Sequence, residues 1–168
     1  MRVGQGTLGI AIAAVVIAGV WGGAIALTGG RGAAESEPAV SAPPGPGDMV
    51  VYKSPTCGCC SGWIDHVRAA GFRVIARDTN DVGAVKRNLG VLPTLQSCHT
   101  AVIAGYAIEG HVPADAIERL LEERPQIVGL AVPGMPAGSP GMESATPYVH
   151  YEVIAFDKDG RTSVFARY

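Results

Sequence analysis

The chain is 168 residues long and carries 13 lysines and arginines against 15 aspartates and glutamates, a net charge of −2 with histidine neutral. That balance excludes the basic footprint of a nucleic-acid-binding protein, so no nucleic-acid partner is expected. Its 23 glycines and 12 prolines fall short of a disordered low-complexity composition but require long loops.

Hydrophobic residues, 48% of the chain, are unevenly spread: no charge interrupts Val3 to Gly30, and an apolar run from Leu8 to Leu27 lies between Arg2 and Arg31. A segment with no polar face, followed at once by a linker, does not suit a helix of a soluble core. Residues 1–28 are therefore expected to be a signal peptide or a signal anchor. Ala24-Ile25-Ala26 resembles a cleavage site, whereas about 20 apolar residues exceed the ~7–15 of a signal core and suit an anchor. With Arg2 retained inside, either option exports the remainder. In a Gram-negative cell that places it in the periplasm, soluble after cleavage or tethered to the inner membrane.

Residues 29–47, including Pro43-Pro44-Gly45-Pro46, have no periodic apolar face and read as a linker. Met49 to Lys53 is a short apolar run closed by Ser54-Pro55, which predicts a buried first strand. From Ser61, a suitable N-cap, to Ala70, the residues Trp63, Ile64 and Val67 recur at helical spacing, with Gly71 as the stop. Phe72 to Ala76 predicts a second strand and Asp81 to Leu89 a second helix ended by Gly90. His99 to Ala104 and Tyr106 to Glu109 predict a hairpin around Gly105. Ala114 to Glu123 predicts a helix with Ile117, Leu120 and Leu121 on one face, Pro113 at its start and Pro125 past its end.

This is the element order of an α/β, thioredoxin-like domain, assigned to residues 48–125. Residues 126–168 depart from it as a C-terminal extension. It comprises a loop from Val132 to Met142 rich in Pro and Gly, then a hairpin of Tyr148 to Phe156 and Thr162 to Ala166 around Asp157-Lys158-Asp159-Gly160.

All 4 cysteines lie in the exported part, and three of them form Cys57-Gly58-Cys59-Cys60. Cys57 and Cys60 stand in C-x-x-C relation between a strand and a helix, where a helix N-terminus favours the nucleophilic, metal-binding thiolate. The plainer alternative is disulfide stapling in an oxidising compartment. Adjacent Cys59 and Cys60 cannot bridge without strain, however, and a C-x-x-C bridge closes too small a loop to staple much. Reactive or metal-binding sulfur is the better account of the motif.

Cys98 sits at the mouth of the strand predicted beside the first one, within reach of the cysteine loop. His111, between the hairpin and the next helix, falls at the same end of the sheet and is a candidate ligand. His66, inside the first helix, and His150, in the late strand, read as structural or surface residues. Met135 and Met142 lie in a stretch whose prolines and glycines forbid a helix, which removes the usual role of methionine on an apolar helix face. Thiolates, thioethers and an imidazole together make a soft donor set suited to Cu(I), with zinc as the fallback if the methionines do not turn inward.

Four motifs now stand in order: Ser54-Pro55-Thr56-Cys57-Gly58-Cys59-Cys60, Ser97-Cys98-His99-Thr100-Ala101, Glu109-Gly110-His111-Val112-Pro113-Ala114, and Gly129 to Pro136 through Gly141-Met142-Glu143. Together they resemble the CopG-type Cys-x-Cys-Cys copper-resistance proteins, long described only as metal-binding proteins of unknown function. The resemblance covers about Val50 to Phe165. It implies a thioredoxin domain with a C-terminal extension and a sulfur-bridged copper cluster with a redox role in the periplasm. It puts the family's metal ligands on Cys57, Cys59, Cys60, Cys98, His111, Met135 and Met142.

Three functions fit these residues. One is a copper oxidoreductase that interconverts Cu(I) and Cu(II). A second is a non-catalytic copper carrier or buffer, which needs the same ligands without a redox cycle. The third is a thiol-disulfide oxidoreductase in which Cys57 attacks and Cys60 resolves, which leaves Cys59 and the methionines unused. Metal ions, copper efflux components and an electron-transfer partner are the expected partners.

Overall fold

The computed structural model describes residues 44–168 except Pro46 and Thr146, so the predicted leader and nearly all of the linker lie outside the described residues. Among those described, no helix is long and apolar enough to cross a membrane. Seven strands and three helices follow in the order β1 (Met49–Lys53), α1 (Gly58–Ala69), β2 (Val74–Asp78), α2 (Val82–Asn88), β3 (Thr100–Ile103), β4 (Tyr106–Glu109), α3 (Ala114–Glu123), β5 (Gly129–Ala131), β6 (Glu152–Phe156) and β7 (Thr162–Arg167). A single 3-10 turn opened by Pro93 spans Pro93–Leu95.

The strands form one sheet of order β2-β1-β3-β4-β5-β6-β7. β1 pairs parallel with β2 and β4 parallel with β5, while the remaining neighbours are antiparallel. Alternation along the strands gives the sheet two apolar faces. Met49, Val51, Ile108, Leu130 and Val153 join Trp63, Ile64 and Val67 of α1 and Ile117 and Leu120 of α3 in the main core. Ala107, Ala131 and Phe156 face the other way, against Val91 and Leu95. Each fully buried large side chain contributes roughly 1.5–3 kcal/mol, so α1 is held by its apolar stripe.

The predicted elements are recovered with shifted ends: the first strand of the late hairpin begins at Glu152 rather than Tyr148, the second strand runs on to Asp78, and three further differences bear on the site. The first helix does not begin at Ser61 but at Gly58, with Cys57 in the N-cap position, which puts Cys59 and Cys60 in its first turn. The Ser54-Pro55-Thr56 turn, closed by the Cys57 N–H on Ser54 O at 3.1 Å, leaves nothing to delay the helix. The Ser61 hydroxyl instead faces back to Cys57 O at 3.5 Å.

The second strand begins at Val74 rather than Phe72, because the Phe72 N–H still serves the end of α1 through Val67 O at 3.1 Å. The third difference is β5, a strand of 3 residues too short to show a period. It joins the extension to the same sheet as the rest. Gly129 is required there, since a Cβ would overlap the carbonyl of Ala107.

Candidate metal centre

The site lies where α1 starts and where the β3–β4 hairpin opens. Cys57 and Cys60, three residues apart and so on one face of the helical turn, are joined by a disulfide with their Cα atoms 5.4 Å apart. Cys59 and Cys98 are free thiols. The Cys59 sulfur lies 3.6 Å from that of Cys57, and all four cysteine sulfurs lie within 4.8 Å of one another. The bridge is the bond that the sequence argument set against metal binding. In the disulfide form those two sulfurs are not thiolates, so a metal-holding form requires the dithiol, two electrons and two protons away.

Cys98 reaches the cluster because a buried carboxylate pins its loop. Glu109, fully buried, accepts from the Ser97 N–H at 2.6 Å, the Thr100 hydroxyl at 2.5 Å and the Lys86 ammonium at 2.5 Å. Lys86 also donates to the Thr100 hydroxyl at 3.0 Å. Gly110, at φ +69°, lets the next segment pass close, for a Cβ there would strike Ser97 and the Val132 carbonyl. The Ser97 hydroxyl in turn donates to the Gly134 carbonyl, which ties the methionine loop to the Cys98 loop.

His111 is fully buried. Its Nδ1 lies 2.6 Å from Pro140 O. A carbonyl only accepts, so the ring proton sits on Nδ1 and the bare Nε2 faces the Cys98 sulfur at 3.0 Å. A fixed tautomer aimed at a thiol is the usual preparation of a metal-binding imidazole. Met135 is 51% exposed, and its thioether meets the Cys59 sulfur at 3.8 Å; it is not a core plug.

Met142 is half-buried and closes its loop through the backbone, donating to Ser139 O at 2.8 Å and accepting from Gly138 and Ala145. Its neighbour Gly141, at φ +83°, lies directly on the first turn of α1, where a Cβ would come 2.6 Å from Trp63 N and 2.7 Å from Cys59 O. His66 accepts the Ala114 N–H at the start of α3 at 3.1 Å, and His150 is exposed.

Burial, reinforced by the nearby Cys59, pushes the Cys98 thiol up to about 12. Burial also holds His111 below the ordinary imidazole range and His99 well below it, so both rings are uncharged at neutral pH. A metal arriving here must displace a thiol proton but none from His111 Nε2. The donors are soft, and the set of four sulfurs, one thioether and one prepared imidazole fits copper better than zinc, which makes little use of thioethers.

Two features escaped sequence reasoning. One is the Lys86, Thr100 and Glu109 network. The other is His99, which adjoins Cys98 and packs tilted against Trp63 with ring centroids 4.4 Å apart. Its position beside a cysteine at a strand mouth was the available signal.

A family model described as a protein of unknown function, DUF411, matches residues 95–142, a span that holds Cys98, His111, Met135 and Met142. No curated protein matches the chain. Two solved structures, of the copper resistance protein CopG in forms 1 and 2, are each 47% identical with a TM-score of 0.69. Each match covers 74% of this chain, and 98% and 99% respectively of the matched chains.

Proposed function

Because the chain belongs to the family of the copper resistance protein CopG, we propose that it is a periplasmic copper-binding protein of copper resistance that interconverts Cu(I) and Cu(II) at a cysteine-bridged site. The observation that carries this reading is the convergence of four cysteine sulfurs with the Met135 thioether and the bare Nε2 of His111. Copper is the substrate here. Cys57, Cys59, Cys60 and Cys98 would hold it as thiolates, His111 through Nε2, and Met135 and Met142 as thioether donors from the extension.

Thiolate and thioether favour Cu(I), whereas imidazole accommodates Cu(II) as well, so the mixed set suits a site that must tolerate both states. The protein's own contribution is to hold these groups in place before metal arrives. The Glu109 carboxylate fixes the Cys98 loop, Pro140 O fixes the His111 tautomer, and Gly141 brings the methionine loop onto α1. Electron exchange requires a redox partner, and the half-exposed Met135 marks the edge such a partner would meet. The sheet order β2-β1-β3-β4 supports a thioredoxin-like domain beneath the site, and the charge-free segment from Val3 to Gly30 supports export.

Two other readings remain distinct. A carrier or buffer would use the same ligands without a redox cycle. A thiol-disulfide oxidoreductase is favoured by one observation, the Cys57–Cys60 bridge. Metal content and absorption spectra of protein purified without chelator, recorded oxidised and reduced, separate the three. Bound copper with thiolate-to-copper bands that change reversibly supports the oxidoreductase. Copper locked in one state supports the carrier. Stoichiometric zinc, or no metal with a cycling Cys57–Cys60 pair, removes the copper reading.

A further inference from the structure

His99 is fully buried, yet its Nε2 has no hydrogen-bond partner. Orphaned buried polar atoms are rare and costly, so each one calls for a reason. The other nitrogen supplies it: Nδ1 lies 3.3 Å from the Cys98 sulfur.

The proton count around that sulfur is closed. His111 keeps its proton on Nδ1 for Pro140 O, so its Nε2 can only accept from the Cys98 S–H. The Cys98 sulfur therefore gives its one proton to His111 and turns its lone pairs elsewhere, toward His99 Nδ1. If His99 carried its proton on Nε2, an N–H would be buried without an acceptor and two lone pairs would face each other at Nδ1. With the proton on Nδ1, the ring donates to sulfur and only a bare nitrogen is left unpaired. Trp63, held by its own Nε1–H on Val112 O at 2.8 Å, lies against the His99 ring and keeps it from turning.

We propose that His99 is a positioning residue of the metal centre: it donates Nδ1–H to the Cys98 sulfur, orients that sulfur, and draws charge from it when the proton leaves and copper binds. The part concerning copper rests on the function proposed above, whereas the hydrogen bond does not. A hydrogen bond to a ligating thiolate weakens its donation to the metal and so favours Cu(I), the state that needs less of it.

Long-range proton–nitrogen correlation spectra of the metal-free protein read the tautomer directly. The expected result is a His99 ring protonated at Nδ1, and a ring protonated at Nε2 overturns the proposal whatever copper does. The copper-loaded protein supplies a second reading through His99→Asn, which keeps a donor near the Nδ1 position, and His99→Phe, which keeps the ring against Trp63 and removes both nitrogens. Asn should hold the absorption bands and the reduction potential near those of the parent. Phe should bind the same amount of copper, shift the thiolate-to-copper band and lower the potential. Should Phe fail to fold, His99→Leu replaces it.

Loss of one copper from the Phe or Leu variant would make His99 a ligand and overturn the donor role. An unshifted band and potential would reduce it to packing. A parent protein that takes up no copper, but shows the Nδ1 tautomer, would refute the copper function and leave the His99 hydrogen bond standing.

Discussion

Cys98 and His111 are cross-strand partners just beyond the open end of the β3–β4 hairpin. The register that sets Thr100 opposite Glu109 continues through the Gly110 N–H on His99 O at 3.0 Å, and this brings the Cys98 sulfur to 3.0 Å from His111 Nε2. The hairpin is thus a ruler for the site: a slip of one residue would turn one of the two donors to the opposite face.

The imidazole can be removed while the ring volume is kept. His111→Phe should fold, cost about 1–3 kcal/mol for the Pro140 carbonyl left without its donor, and lower Cu(I) affinity at least tenfold in competition with a chromophoric chelator. Unchanged affinity would show that Nε2 is not a ligand.

The methionines separate packing from ligation. Because Met135 is half-exposed, Met135→Leu should alter stability by less than ~0.5 kcal/mol, as surface substitutions do, while Cu(I) affinity falls for want of the thioether. Met142→Leu conserves volume at a half-buried position and should cost less than ~1.5 kcal/mol. Chemical denaturation and chelator competition on the same samples check both; intact copper binding in both variants would remove the thioethers from the ligand set, and a lower melting temperature of Met142→Leu alone would make that residue core.

Much of this arrangement is legible from residue order. Gly105 marks the hairpin, and counting out from it brings the Cys98-His99 pair and His111 to the same open end; that Cys98 rather than His99 lies opposite His111 is set by the two-residue Ala104-Gly105 turn, which pairs Ile103 with Tyr106. Prolines and glycines around Met135 and Met142 deny those residues a helix. What escapes the sequence is non-local and has no period. Glu109 reads as a strand-end charge until Lys86, 23 positions away, is seen to meet it in the core. The 3 residues of β5 are too few to alternate visibly, and the start of α1 is set by a turn at Ser54 rather than by the capping residue Ser61.

The Lys86–Glu109 pair predicts an asymmetry between its members and their joint removal. Lys86→Met leaves a buried carboxylate without its cation and should cost about 3–5 kcal/mol, whereas a well-packed apolar replacement of both partners costs far less. Here the double replacement, Lys86→Met with Glu109→Leu, should recover part of the loss. It should not recover metal binding, because the Ser97 N–H loses its acceptor and the Cys98 loop its anchor. A double-mutant cycle by denaturant unfolding, paired with copper content, tests this; full copper binding in the double variant would show that the carboxylate does not position Cys98.

Gly141→Ala should be among the most damaging single changes in the extension. At φ +83° the added methyl is strained, and at 2.6 Å from Trp63 N it must push the loop off α1. The expected loss is roughly 1–3 kcal/mol, with weakened copper binding. A variant of parental stability would mean the loop relaxes freely.

The pH dependence follows from Cys98. Its thiol is raised from an ordinary value of 9.0 to about 12, so the folded protein favours the protonated form. The stabilisation is whole below the ordinary value and is lost as pH rises from there toward the folded one. Metal uptake runs the other way, since the proton must leave. Apparent copper affinity should rise with pH, about tenfold per unit for each proton released. His111, already uncharged, adds nothing at neutral pH. Calorimetry in buffers of different ionisation enthalpy counts the protons, and Cys98→Ser should release one fewer than the parent.

The most direct test of the site as a single copper centre is the metal content and absorption spectrum of Cys98→Ser beside the parent, both reduced and loaded with copper under the same conditions. Cys98 joins the cysteine turn of α1 to the His111 side of the hairpin, so the account predicts that the variant loses copper and that its thiolate-to-copper bands change. A variant that keeps the full copper content and spectrum of the parent would contradict it and leave Cys98 a structural thiol.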